Sequence, residues 1–563
     1  MAQITKEHFQ TVNQAFDLIN KGQFKQSIEI LKMLVQEYPA MEIITFSLAH
    51  SYCEVGEYDV AEKFYNESLV INPNSHLAYI GLGRIQEKLG NQQQALKFFY
   101  KALEISPQNI DALTFIATIY HSIGNGDKAI EIYNHIITQK GDDAEIYNYI
   151  ATIYKKKGML EHAMVFLNKA LKVDPFFPEA IFNKALVYMD INDNRMAIET
   201  LENYLELIPD NLYALYKYKT LMTKVCNWQK VEATSNKINA LDQTNITELA
   251  FTPMQHITTN IDPAENLVWA KKFTNGITKN ITKNFPKYSH NRPEKKDINK
   301  KLKIAYISSE IREHAVAHLM RGVLQNHDKN KFEVTIYSSG KDDGSNYRRD
   351  IEAACDRFIN VNDLDNLNLA QKIFEDKIDI LIDLNGHTGQ FRIEALALKP
   401  APIQVNYLGF IGSMGADFMD YIITDRVVTP PDQQQFYTEK FVYMPDCYQA
   451  NDNTITISSK EYKRSDFGLP DNKFVFCTFN QPYKIEPIMF NVWMNILKHV
   501  PNSVLWLFKA SFYQNDLTIN NILKYTEQAG VDPSRIIFAE ANLPLPEYLK
   551  RKTLAVQYIL EYY

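Results

Sequence analysis

The stretch SHLAYIGLGRIQEKLGNQQQALKFFYKALEISPQ, residues 75–108, is one unit of a pattern that returns every 34 residues and holds without a slip over six copies. Proline, which cannot continue a helix, closes the unit at Pro39, Pro73, Pro107, Pro175 and Pro209, with Gly141 in the one remaining slot. A small residue recurs at Ser27, Ala61, Ala95, Ala129, Ala163 and Ala197, and another at Ala49, Gly83, Ala117, Ala151 and Ala185, where two helices must approach closely. Between them Gly22, Gly56, Gly90, Gly124 and Gly158, with Asn192 in the sixth slot, sit where a chain leaving one helix needs a positive φ before starting the next. Apolar residues at i, i+3, i+4 and i+7, such as Ala95, Phe98, Phe99 and Ala102, make each half an amphipathic helix. Helix pairs repeated in this way predict a solenoid.

The 563 residues, 45% apolar and 23% charged, are too many for one core and too apolar for disorder, so several domains are expected. A net charge of −7 argues against a nucleic-acid-binding field and against a membrane-seeking basic surface. No stretch approaches the roughly 18 consecutive apolar residues of a spanning helix, and the start MAQITKEHFQTVNQ has no signal-peptide pattern. Cys53, Cys226, Cys355, Cys447 and Cys477 are scattered singly, without the spacing of a zinc site, redox pair or disulfide framework. The expected compartment is the reducing cytoplasm.

The repeat resembles the tetratricopeptide repeat over about residues 7–240, which sets a first domain at 1–240. Such superhelices hold extended peptide or another protein in a concave groove. The alternative is an array that only spaces the chain or makes it a homo-oligomer.

After residue 240 the period is lost, and the polar, proline-containing stretch 285–301 closes a transition and linker over 241–301. Its Lys295, Lys296, Lys300 and Lys301 read as a solvated connection. Short apolar runs then alternate with helical patterns: KIAYIS, FEVTIYS, FINV, IDILIDLNG, IQVNYLGF, MDYIITD and KFVYMP, and, after a turn-rich stretch, FVFCTFN, SVLWLFKA and RIIFAE. This alternation predicts two doubly wound parallel-sheet domains, 302–448 and a partial one at 449–563, with ligand in the crevice at the carboxyl ends of their strands.

Four stretches bear chemistry. SSEIREHAVAHLM places Glu310, His314 and His318 at spacings of four, expected on one helical face. Acid/base or substrate-binding work is one reading, capping and packing another, and a metal pair a third; the zincin pattern fails because Ala315 follows the first histidine. DLNGHTG ends a strand with His387 and Thr388 between glycines, and GFIGSMG at 409–415 repeats the idea, so two glycine loops are expected to face a ligand. FNQPYKIEP puts Gln481 and Lys484 just before a helix, where a lysine and helix N–H groups suit a diphosphate, with a solvated turn as the alternative.

Together, SSEIREHAVAHLM (308–320), NGHTG (385–389), ALKPAPIQVNYLGFIGSMGADFMDYIITD (397–425), FNQPYKIEP (479–487) and VPNSVLWLFK (500–509) resemble the O-linked N-acetylglucosamine transferase family. With the repeats they cover nearly the whole chain. The resemblance implies a glycosyltransferase-B fold and metal-independent transfer of a sugar from a UDP donor, UDP-GlcNAc in the first instance, to Ser or Thr of acceptor proteins bound by the repeats. It implies that His314 is the active-site histidine beside the donor sugar, with His318 the second motif histidine and Glu310 in place of the family's Asp on the proton path. It assigns His387, Thr388 and Arg392 to the sugar and diphosphate, where a lysine of animal members is Gly389 here, and Gly412 as a glycine whose backbone faces the sugar. Gln481 and Lys484 match the nucleotide-binding Gln and the diphosphate Lys, and Tyr548 the histidine that stacks on uracil. The slot of the family's asparagine ladder reads Asn13, Ser47, Gly81, Phe115, Tyr149 and Asn183, so acceptor choice should differ. Family members continue well past RIIFAEANLPLPEYLKRKTLA, and VQYILEYY after Ala555 no longer resembles them. The expectation is an incomplete second domain, as from a frameshift or early stop, and low stability or association of a half-finished sheet. The alternatives are a catalytically inactive scaffold that binds protein through its repeats, and a transferase using another nucleotide sugar such as GDP-fucose.

Overall fold

Between Lys6 and Ala240 the computed structural model turns the repeats into seven successive helix-turn-helix pairs, from Lys6–Asn20 with Phe24–Glu37 to Leu212–Lys224 with Trp228–Ala240. The structure describes residues 6–241, 252–258, 262–290, 300–509, 515–539, 543–555 and 557–558. The chain divides into two compact units, residues 1–209 and 210–563. The seventh helix pair thus belongs to the second unit, although its sequence continues the repeat.

In the first unit the recurring small residues sit where the sequence places them. Ser27, Ala61, Ala95, Ala129, Ala163 and Ala197 are fully buried, and a Cβ on Gly83 would meet the Phe99 ring at 2.6 Å. Each turn glycine has φ between +70° and +88° through Gly158, and Asn192 takes +60°. The slot of the asparagine ladder is filled by rings in its middle repeats. Tyr65 occupies the space beside Gly81, whose Cβ would lie 2.2 Å from that ring. Phe115 stacks on Phe99 at 5.0 Å and Tyr149 on Tyr133 at 5.5 Å; Asn183 keeps an amide contact, donating to Asn148 Oδ1 at 2.8 Å.

The second unit holds two parallel sheets. The first contains β1 (Leu302–Ser308), β2 (Phe332–Ser338), β3 (Arg357–Asn360), β4 (Ile380–Asp383), β5 (Ile403–Tyr407), β6 (Tyr421–Thr424) and β7 (Lys440–Tyr443), in the order β3-β2-β1-β4-β5-β6-β7. Both faces are covered, so the middle of β1 is apolar from Ile304 to Ile307: Ile304 and Tyr306 enter one core, Ala305 and Ile307 the other. The second sheet has β8 (Phe474–Thr478), β9 (Ser503–Phe508), β10 (Ile536–Ala539) and β11 (Gln557–Tyr558), ordered β10-β9-β8-β11. In each sheet the order reverses, between β1 and β4 and at β8, and a parallel sheet opens its ligand crevice at such a point. One edge of β8 is covered by β11, which pairs Gln557 with Phe476 and Tyr558 with Cys477.

The described residues of the transition segment carry more secondary structure than its polarity suggests. Pro263–Asn284 is a 22-residue helix that buries Trp269, Ala270, Phe273, Thr274 and Thr278, and Ile277 and Ile281 pack on the first-sheet core. Tyr288 stacks on Phe374 at 4.3 Å. Its apolar residues lie three and four apart and were masked in the sequence by intervening Lys, Thr and Asn. Lys295 and Lys296 lie outside the described residues, as do residues 556 and 559–563 of the terminal stretch.

Candidate functional site

At the β1/β4 reversal, Ser309 and Asn385 lock two loops together. Asn385 Oδ1 accepts from the Ser309 amide at 2.8 Å, and its Nδ2 donates to Ser309 Oγ at 2.9 Å and to the Thr388 carbonyl at 3.2 Å. Ser309 Oγ donates to Glu310 Oε1 at 3.1 Å. Arg312 reaches Glu310 Oε2 with Nε at 3.0 Å and a terminal nitrogen at 2.6 Å, a charge-assisted pair in which the carboxylate is buried and the guanidinium is not. Ser309, Glu310, Arg312, Gly340, Lys341, Gly389 and Gln390 line a cleft of about 250 Å³ here. A larger cavity of about 420 Å³, beside Phe176, Lys184 and Met196, lies among the helical repeats of the first unit and not at a sheet reversal. The smaller cleft is therefore the candidate site.

The three SSEIREHAVAHLM residues do not share a helical face. The helix starts only at Ala315, because His314, in extended backbone at φ −151°, is its N-cap. His314 Nδ1 accepts from the Val316 amide at 3.3 Å. With Nδ1 so used, the neutral ring carries its proton on Nε2, which lies 3.9 Å from Glu310 Oε2. Burial holds the His314 pKa below its ordinary value, partly offset by Glu310. His314 at neutral pH is thus an uncharged donor facing the carboxylate. His318 points elsewhere: its Nε2 is 2.8 Å from Glu313, and its ring lies 4.1 Å from Tyr347.

Gly389 and Glu310 depend on each other. Gly389 has φ +58°, and a Cβ there would lie 2.4 Å from Glu310 Oε1. The longer Glu310 side chain occupies space that a side chain at 389 would need.

The two glycine loops pack on each other rather than both facing a ligand. A Cβ on Gly386 would meet Phe410 Cβ at 2.5 Å, and one on Gly409 the Leu384 carbonyl at 2.0 Å. His387 is 1% exposed, ringed edge-on by Phe273, Phe391 and Phe410. Its Nε2 donates to the Met414 carbonyl at 3.1 Å, and Nδ1 has no hydrogen-bond partner among the described residues. Burial lowers its pKa to about 4. His387 therefore braces the 409–416 loop from inside. Glu439, fully buried, holds the same loop from the other side, accepting from the Met414 amide at 2.6 Å and from Ser413 Oγ at 2.7 Å. Nothing in the sequence marks Glu439 beyond a lone acid before an apolar strand.

Thr388 donates to the Asn385 carbonyl at 2.7 Å, one residue before the cleft-lining Gly389. Arg392 is turned away, its Nε on Asn366 Oδ1 at 2.7 Å and another nitrogen on the Val361 carbonyl at 3.3 Å. It closes a loop, because backbone carbonyls after β3 supply better-placed acceptors. Gly412 is buried under Phe410 and Ile257. Asp383, which ends β4, accepts from the amides of Asn385 at 2.9 Å and Gly386 at 3.1 Å; burial pushes its pKa up to about 6.

In the second sheet Gln481 and Lys484 are exposed on a one-turn 3-10 segment, Pro482–Lys484, between β8 and the helix Pro487–His499. Tyr548, on the helix Leu545–Lys552, joins an aromatic group with Phe479, Phe467 and Trp506 around the buried Arg551 guanidinium. Among the described residues no three His, Cys, Asp or Glu side chains converge as metal ligands would, and no helix is long and apolar enough to cross a membrane.

Tetratricopeptide repeats match residues 41–108, 87–153, 144–177 and 178–211. The chain is 40% identical over 264 residues to the probable UDP-N-acetylglucosamine–peptide N-acetylglucosaminyltransferase SEC of Arabidopsis thaliana, covering 46% of this chain and 26% of that protein. Over 367 residues it is 28% identical to the corresponding transferase of Caenorhabditis elegans, with 45% and 32% covered. The aligned region thus spans about a quarter to a third of these curated relatives. The structure resembles a mutant of Thermobaculum terrenum O-GlcNAc transferase with a TM-score of 0.51 at 22% identity, over 86% of this chain and 77% of that one, a likeness of fold. Glycosyl transferase family 41 matches residues 225–459 and 454–558, more than half of the chain, through both sheets and as far as β11, and the chain belongs to that family.

Proposed function

We propose that this chain is a protein O-glycosyltransferase that moves a sugar from a UDP donor, UDP-GlcNAc by the likeness to its relatives, onto Ser or Thr of proteins held by the repeats. Domain roles follow the limits read from the sequence: recruitment at 1–240, a connection at 241–301, and the two halves of the site at 302–448 and 449–563. The observation that supports this reading is the Glu310–Arg312–His314 group at the β1/β4 crevice of a family 41 chain.

The acceptor hydroxyl attacks the anomeric carbon, the bond to UDP breaks, and the acceptor proton leaves to solvent or to Glu310 once Arg312 releases it. His314, with its proton on Nε2, donates to an oxygen of the donor rather than acting as base at that nitrogen. Lys484, at a turn preceding a helix, supplies the positive charge that stabilises departing UDP, the task a metal performs in other transferases. Thr388 and Gln481 border the two ends of the donor. The buried His387, Gly412 and the inward-turned Arg392 shape the loops, and Tyr548 takes the base only if it leaves its aromatic group. Five cysteines scattered singly along the chain fit a reducing cytoplasm as the place of action.

Calorimetric titration with UDP, followed by sugar transfer from UDP-GlcNAc to a Ser/Thr peptide, tests the reading. Binding is expected in the wild-type chain and its loss in Lys484→Ala, with transfer abolished in His314→Ala while UDP binding persists. Equal UDP affinity in the wild type and Lys484→Ala would refute it.

A further inference from the structure

The turn slot of the repeats is exposed in its first six copies, at Gly22, Gly56, Gly90, Gly124, Gly158 and Asn192, and a Cβ on any of those glycines would meet nothing within 4 Å. The seventh copy, another 34 residues on, is Cys226. It keeps the left-handed backbone, φ +54°, that a side chain avoids, yet is fully buried. Its surroundings explain the exception. Cys226 Sγ–H points at the Pro482 carbonyl at 3.4 Å, and Trp228 Nε1–H donates to the Ile485 carbonyl at 3.1 Å. These two carbonyls flank Lys484. The turn is itself locked to the helix Asn515–Gln528: Asn521 Nδ2 donates to the Val225 carbonyl at 2.8 Å, and the Gln229 amide to Tyr525 Oη at 3.1 Å. The Trp228 ring lies 4.9 Å from Phe490 and 4.6 Å from Tyr525.

We infer that the turn Val225–Trp228 of the seventh repeat is a positioning element of the nucleotide site, holding the backbone of the loop that presents Gln481 and Lys484. The inference rests on the reading of those two residues as donor-binding. Within the loop the Lys484 and Ile485 amides bond back to Gln481 and Pro482, at 2.9 Å each, while the repeat holds its Pro482 and Ile485 carbonyls. Cys226 and Trp228 touch no substrate; they act through the loop.

The test uses the 563-residue chain. Trp228→Phe keeps the ring contacts and drops one hydrogen bond, and Cys226→Gly restores the residue used in earlier turns. Amide hydrogen exchange over 480–486 and UDP affinity are measured in both, beside Lys484→Ala. Expected are faster exchange in that segment and UDP binding weakened about five- to tenfold, the size of one lost hydrogen bond, with acceptor KM unchanged. UDP affinity within twofold of wild type in both variants, while Lys484→Ala abolishes it, would overturn the positioning role and leave the nucleotide reading standing. Faster exchange without an effect on UDP also overturns it. Unaltered UDP affinity in Lys484→Ala removes the nucleotide reading and this inference with it.

Discussion

His387 is a neutral group held where only its neutral form fits. Its pKa of about 4 lies below the ordinary histidine value, so its contribution is fully present above pH ~6.5 and lost as pH falls toward 4, on the order of 3 kcal/mol in all. Asp383 on the neighbouring strand end works in the opposite sense. With its pKa raised to about 6, its contribution is present below about pH 4 and lost as pH rises through 6. Acidification therefore weakens one group while relieving the other. His387→Gln, which keeps a donor for the Met414 carbonyl, is expected to melt below the wild type at pH 7, and the gap should close as pH approaches 4. Melting curves of both proteins across that range check this; a gap independent of pH would contradict it.

At the scale of elements, the 409–416 loop keeps its shape by opposed buried anchors. Its Met414 amide is bound by Glu439 and its Met414 carbonyl by His387 and by Thr274 Oγ1 at 2.7 Å, the latter from the helix Pro263–Asn284. Three donors, from Met414, Ser413 and Thr438, converge on the Glu439 carboxylate. Glu439→Gln turns an amide NH₂ toward donors and leaves at least one unmatched, at a cost of about 2–3 kcal/mol. Denaturant melts should show that loss, while Asp432→Asn, a carboxylate on the exposed surface, should leave stability unchanged. The helix after β1 shows the same logic in smaller form: its cap is His314 itself, so one residue both starts the helix and faces Glu310.

For the whole molecule, the repeat pattern and the compact units do not coincide. The sequence period runs on through Ala240, but the seventh pair lies in residues 210–563, with Cys226 in the core around Phe490, Trp493 and Leu505. A fragment of residues 1–240 should therefore expose a cysteine that the full chain hides. Thiol titration without denaturant should find Cys226 unreactive in the 563-residue chain and reactive in the fragment; protection in both would show that the turn is buried without its partner. In the second sheet β8 lies between β9 and β11.

The solenoid and the two parallel sheets could be read from sequence alone, because both rest on local periodicity. A 34-residue spacing of small residues, turn glycines and prolines leaves one solution, and apolar runs such as KIAYIS and SVLWLFKA became strands within one to three residues of their limits. The chemical residue types were legible too, since Glu310 and His314 do meet and Lys484 does precede a helix. Their directions were not. A cap at His314 broke the supposed helical face, and nearby carbonyls drew Arg392 inward. Core space enclosed His387, and Glu439 gained its role from a loop more than twenty residues away. Spacing along the chain determines what a residue can be near on its own element. What it points at depends on hydrogen-bond partners and volume supplied by distant segments, and only the tertiary structure decides those.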